Sequence, residues 1–226
     1  MSMPYYVSPE QVMKDRADYA RKGIARGRSL CGMSFNDGIC IVAENHSRTL
    51  HKVSEIYDRI AFAGVGRYNE FDQLRIAGVR AADLKGYSYS REDVEARSLA
   101  NSYAQMLGQV FTHEMKPLEV EILVAEVGAS SEDDRLFHLL YDGTVMDEEG
   151  FTVLGGEAEA VADRLKQGYT TNMDLTGAIK AAVTALAGAE RTLTDRELEV
   201  AVLDRNNGRR QFRRIEGDEL TAFLVH

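Results

Sequence analysis

The apolar positions of this chain recur at two spacings, and the changes of spacing divide it into blocks. Ser8-Pro9-Glu10-Gln11 places an N-cap serine, a proline at the first helical position and a glutamine three residues past the cap, which predicts a helix over Pro9–Ile24. Residues 1–8 read as extended or mobile. From Ser29 the period shortens: Leu30–Phe35, the turn Asn36-Asp37-Gly38 and Ile39–Ala43 form an antiparallel hairpin pattern. A second strand pair lies over Lys52–Ile56 and Arg59–Val65. Helical spacing returns in Tyr68–Leu84 and Arg91–Met115, the second opened by Ser90 with Asp93 three residues later. Past Pro117 come strands at Glu119–Val127, Leu136–Tyr141 and Phe151–Leu154, then helices at Glu157–Tyr169 and Leu175–Ala187. The chain closes with strands Leu198–Asp204 and Arg210–Ile215 around Asn206-Asn207-Gly208, and a short Glu219–Val225 stretch.

Strands grouped in hairpins and helices grouped in pairs exclude an alternating βαβ sheet. Two stacked antiparallel sheets, each covered by a helix pair, bury every apolar face in this order. The expected fold class is therefore α+β, a four-layer αββα sandwich.

Composition narrows the function. The 226 residues suffice for one core that buries roughly 70% of the unfolded surface, without metal or disulfide. A formal charge of −9 argues against a general nucleic-acid binder, which needs a basic surface. No apolar run approaches the roughly 18 residues of a membrane span, and Lys14, Arg16, Arg21 and Lys22 interrupt any leader-like core, so a cytoplasmic, membrane-free protein is expected. Prolines occur at positions 4, 9 and 117, and no repeat or low-complexity tract marks a linker, which leaves one domain, 1–226, with an N-terminal appendage. Cys31 and Cys40 lie in apolar strands and read as free buried thiols. The histidines at 46, 51, 113, 138 and 226 lack metal-ligand spacing, so neither metal nor cofactor is expected. Gly155-Gly156 reads as a strand-to-helix turn rather than an anion cradle, and Tyr141-Asp142-Gly143 as a turn between strands. Residues 1–28 are mostly basic and Glu126–Glu149 mostly acidic; these are either complementary surfaces between subunits or solvated faces.

Several stretches together resemble an actinobacterial proteasome α subunit: Tyr6-Val7-Ser8-Pro9-Glu10-Gln11, the run Ala20 to Arg28, and Lys52-Val53-Ser54-Glu55-Ile56-Tyr57-Asp58-Arg59-Ile60. Asn69-Glu70-Phe71, Gly86-Tyr87-Ser88-Tyr89, Tyr103-Ala104-Gln105 and Leu198 to Asp204 extend the likeness over nearly the whole chain. The resemblance implies the αββα sandwich of N-terminal-nucleophile hydrolases, in agreement with the layer order.

Active members of that class use a threonine freed by cleavage after a glycine, its amino group serving as base and its hydroxyl as nucleophile. Alignment on the Asp37-Gly38 turn puts Gly27 at the cleavage position and Arg28 where the threonine would stand. Glu44 and Lys52 match the supporting acid and lysine. An arginine cannot attack, and Ser29 would need its own amino terminus behind a helix, so a non-catalytic subunit is expected. A processed threonine or serine hydrolase of the same fold is the alternative, and an acidic α/β interaction module a weaker one.

The resemblance further implies seven-membered outer rings stacked on rings of β subunits, a gated pore, and docking of a six-membered ATPase ring that feeds tagged proteins to the particle. The gate would be Ser2, Met3, Pro4, Tyr5, Tyr6, Val7 and Ser8, followed by the N-terminal helix, 9–26. Ordering seven such segments costs roughly 1–2 kcal/mol per residue, so the gate should be only marginally closed. The ATPase tail carboxylate would meet Lys52, with Gly66 fourteen residues on at the pocket wall and Asp18 at the position of a pocket acid. Thr112, His113, Glu114 and Met115 stand where many α subunits line the entrance; only the basic-proline pair Lys116-Pro117 is retained there.

Overall fold

A computed structural model describes residues 7–224; Ser2 to Tyr6 of the expected gate, and Val225, lie outside the described residues. Helix α1 runs Pro9–Ile24, with the Ser8 hydroxyl accepting from the Gln11 N–H. Strands β1 (Leu30–Phe35) and β2 (Gly38–Glu44) form the first hairpin, β3 (Val53–Tyr57) and β4 (Ile60–Gly66) the second. Helices α2 (Tyr68–Ser88) and α3 (Ala96–His113) follow, then β5 (Val120–Glu126), β6 (Arg135–Leu139), β7 (Val145–Glu148) and β8 (Phe151–Leu154). The order closes with α4 (Ala158–Gly168), α5 (Leu175–Ala187), β9 (Leu198–Asp204), β10 (Phe212–Ile215) and α6 (Gly217–Leu224).

The strands make two five-stranded antiparallel sheets, β10-β9-β2-β1-β8 and β3-β4-β5-β6-β7. Period-two alternation sorts the inner strands between two cores. In β5, Val120, Ile122 and Val124 pack on α2 and α3 with Phe62 and Tyr103, while Leu123 and Ala125 meet Leu30, Ile41 and Ala201 of the other sheet. A third core joins Cys31, Met33, Val200 and Val202 to Val161, Ile179 and Ala182 of α4 and α5. The four-layer αββα sandwich expected from the element order is present. A strand buried on both faces reads as a nearly continuous apolar run, which is the texture of β2 and β5.

Two expectations are corrected. The helix expected over Arg91–Met115 is a 3-10 turn at Arg91–Asp93 followed by α3 from Ala96, whose N–H is taken by the buried Glu126 carboxylate at 2.7 Å. Strand β7 falls outside the expected elements, because its sequence, Val-Met-Asp-Glu, has an apolar start and an acidic end without alternation; it is the edge of its sheet, where charge is tolerated. Both cysteines are free and buried, and burial pushes the Cys40 thiol up to about 12. No described helix is long and apolar enough to cross a membrane.

Candidate functional site

The site is the corner where α1 hands the chain to β1. Gly27 donates to Ile24 O at 2.8 Å and its carbonyl accepts from Gly156 N at 3.1 Å, which pins the turn against the start of α4. A side chain at Gly27 would meet Val65 at 2.6 Å, so the turn can lie against β4 only with glycine.

Arg28 follows, and its guanidinium pairs with the Glu44 carboxylate from the end of β2. Arg191, beyond α5, forks onto the same carboxylate at 2.9 and 3.2 Å and donates to Leu186 O at 2.8 Å. The Glu44 side chain is 5% exposed. Its burial works to raise its pKa, but the hydrogen bonds and charges of Arg191 and Arg28 outweigh that and hold the carboxyl below its ordinary range. Arg28, Ser29, Glu44, Gly156, Glu157 and Arg191 line a cavity of about 270 Å³. The Glu44 carboxylate in its wall is thus engaged by two cations, Arg28 and Arg191.

Lys52 reaches the same turn from the other side, donating from Nζ to Arg28 O at 2.7 Å. Burial pushes its amine down to about 8, against the opposing pull of Glu199 and Glu44. Its own carbonyl accepts from Gly64 N at 3.0 Å. Gly66 ends β4 with φ +110°, and a Cβ there would overlap Glu119 O, so only glycine fits. Lys52 and Gly66 therefore flank Gly27–Arg28 on the sheet side.

Asp18 stands apart from them, paired with Arg21 at 3.4 Å on the open side of α1. Thr112 and His113 are the last residues of α3, and Glu114 caps it through its N–H to Val110 O at 3.1 Å. All four residues of 112–115 are exposed, Met115 at 97%. Beside them an ion cluster ties α1, α2 and the loop before β5: Lys116 to Glu70 at 2.7 Å and Glu119 at 3.0 Å, Arg67 to Glu119 at 2.9 Å, with the Lys116 amine 5.6 Å from the Tyr19 ring. Of the expected gate, Val7 is exposed and Ser8 serves as the cap of α1.

Sequence reasoning missed Arg191 and Glu199. Arg191 sits in a loop with no local signal. Glu199 did have one: in Leu-Glu-Val-Ala-Val-Leu-Asp the alternation turns it inward with Ala201 and Leu203, where a carboxylate needs a reason.

Two stacked antiparallel sheets between helix pairs, with a glycine-preceded corner flanked by an acid and a lysine, define the N-terminal-nucleophile hydrolase sandwich. Within that class, a model of the family described as "Proteasome subunit" matches residues 24–203. The chain is 64% identical over 224 residues to the proteasome subunit alpha of Acidimicrobium ferrooxidans, covering 99% of this chain and 97% of that one. It is 58% identical to the proteasome subunit alpha of Xylanimonas cellulosilytica (98% and 95% covered) and 57% to that of Thermobifida fusca (99% and 91%). The chain belongs to the proteasome subunit family, and the resemblance to actinobacterial α subunits read from its motifs is borne out.

Proposed function

We propose that this chain is a non-catalytic α-type subunit of a proteasome core particle, acting as one unit over residues 1–226. Copies form seven-membered outer rings on rings of β subunits, which supply the catalytic threonine; residues 1–8 gate the pore, and an ATPase ring docks to open it for tagged proteins. The observation that supports the non-catalytic reading best is Arg28 at the nucleophile corner, joined through Gly27 to α1 and paired with Glu44. A hydroxyl nucleophile activated by a free amino group has no counterpart there. Leu84, Tyr87 and Tyr89 are exposed at 68%, 91% and 79%, apolar surface of the kind assembling subunits cover.

In this reading Lys52 is the cation that meets the ATPase tail carboxylate, with Gly66 at the pocket wall; Asp18 supplies a pocket acid from α1, and residues 112–115 line the entrance. A lysine amine offers up to three donors to a chain-end carboxylate. The deciding measurement is the intact mass of the chain from native particles. Full length, less at most Met1, is expected; loss of residues 1–27 or 1–28 would establish self-processing and the hydrolase alternative instead.

A further inference from the structure

We infer that Glu199 is the positioning residue of the Lys52 anchor, fixing the backbone from which Lys52 projects; this rests on the reading of Lys52 as the carboxylate-binding cation. Glu199 lies on β9, faces the other sheet and has a side chain 9% exposed. Its Oε2 accepts from Lys52 N at 2.8 Å and Asn45 Nδ2 at 2.8 Å. Its Oε1 accepts from Val53 N at 3.1 Å and Arg214 Nη1 at 2.8 Å, with His51 Nδ1 at 3.2 Å. One carboxylate thus satisfies two consecutive amides, Lys52 and Val53, and a side chain at the far end of the same loop, Asn45. The Lys52, Asn45, Val53 and Arg214 donors fill the four or so lone-pair sites that it has, with His51 beside them.

The arrangement is costly to assemble without a purpose in the loop. A buried carboxylate must be matched by donors or charge, and an apolar residue at this inward strand position would fill the core at less cost. What the carboxylate adds is rigidity in 45–53, a segment without strand or helix until Val53. Asn45 reinforces it by donating also to Leu50 O at 2.8 Å. Arg214 closes the arrangement, reaching Val53 O at 2.5 Å with the nitrogen that Glu199 leaves free. An unpinned Lys52 would have to be ordered by the ligand, and the entropy of that ordering would be subtracted from binding.

The test uses assembled core particles and a short synthetic peptide copied from the C-terminus of the host's proteasomal ATPase, with a free carboxylate or an amide at its end. Lys52→Ala, Glu199→Gln and the double variant are compared by binding, and amide hydrogen exchange is followed in 45–53 and in β2. Glu199→Gln preserves shape but turns an amide NH₂ toward donors. The expected result is a drop of about tenfold in carboxylate-over-amide preference, the scale of one charge-assisted hydrogen bond. Exchange should quicken at Lys52 and Val53 but not in β2, and the double variant should lose no more than Lys52→Ala. Retained preference in Glu199→Gln, while Lys52→Ala loses it, overturns the inference and leaves the anchor intact. Faster exchange in β2 as well would make Glu199 a stabiliser of the fold rather than a positioning residue. Retained preference in Lys52→Ala removes the anchor reading itself, and the inference with it.

Discussion

Glu44 illustrates how a buried carboxylate is held by cations from distant parts of the chain, Arg28 and Arg191. Its carboxylate is buried, and breaking a buried pair by removing one partner costs more than the pair contributes. Arg28 and Arg191 are partly exposed and can recover water, so Glu44→Gln is expected to cost about 1–3 kcal/mol in urea unfolding of the full chain at pH 7. Because its folded-state pKa lies below the ordinary value, its contribution is present above that value and is lost as pH falls through the lowered one. Unfolding followed from pH 7 to 3 should therefore show a shallower acid slope in the variant. Lys52 gives the opposite window. With its amine down at about 8, carboxylate-peptide binding should weaken as pH rises past 8, and Lys52→Arg should hold binding to higher pH.

At the scale of elements, the contact of α2 with α3 turns on Gly78. A Cβ at that position would overlap the Tyr103 hydroxyl, which is buried and has no hydrogen-bond partner among the described residues. Gly78→Ala gains helix propensity of about 1 kcal/mol but overpacks the contact by about 1–3 kcal/mol, and the second effect should prevail. Tyr103→Phe removes the unsatisfied hydroxyl and should be close to neutral. A double-mutant cycle of thermal midpoints checks both: in the Tyr103→Phe background the Gly78→Ala penalty should shrink but persist, since the ring atom beneath the hydroxyl lies 2.7 Å from the added Cβ. No residue of the edge strand β7 is buried, so neither of its faces calls for apolar side chains and no periodic signal results; its place is set by pairing with β6.

For the whole molecule, the two sheets fix the corner at which α1 ends, and the proposed gate is the chain that precedes that helix. Deleting residues 2–8 should raise peptide hydrolysis by the assembled particle several-fold while leaving the β-subunit chemistry unchanged. Unchanged hydrolysis in verified particles would remove the gating role. The expectation follows from magnitude: a segment that orders at roughly 1–2 kcal/mol per residue cannot be a deep energetic trap, and a parallel deletion of residues 2–7, which spares the Ser8 cap of α1, separates lost gating from a frayed helix.

Local sequence carries most of the element order, because caps, turns and periodicity are local: Ser8 with Pro9, Asp37-Gly38, and the apolar runs of β2, β5 and β9 are legible without partners. It determined the two-sheet layering as well, since grouped hairpins and paired helices have few other ways to bury their faces. It also marked Gly27, Arg28, Glu44 and Lys52, through spacing and resemblance. What those residues do to one another depends on how the sheets bring distant segments together. Arg191 lies 147 positions from Glu44, and Glu199 the same distance from Lys52. No local pattern encodes such pairings, which exist because β9 lies beside β2 in one sheet and faces β3 in the other.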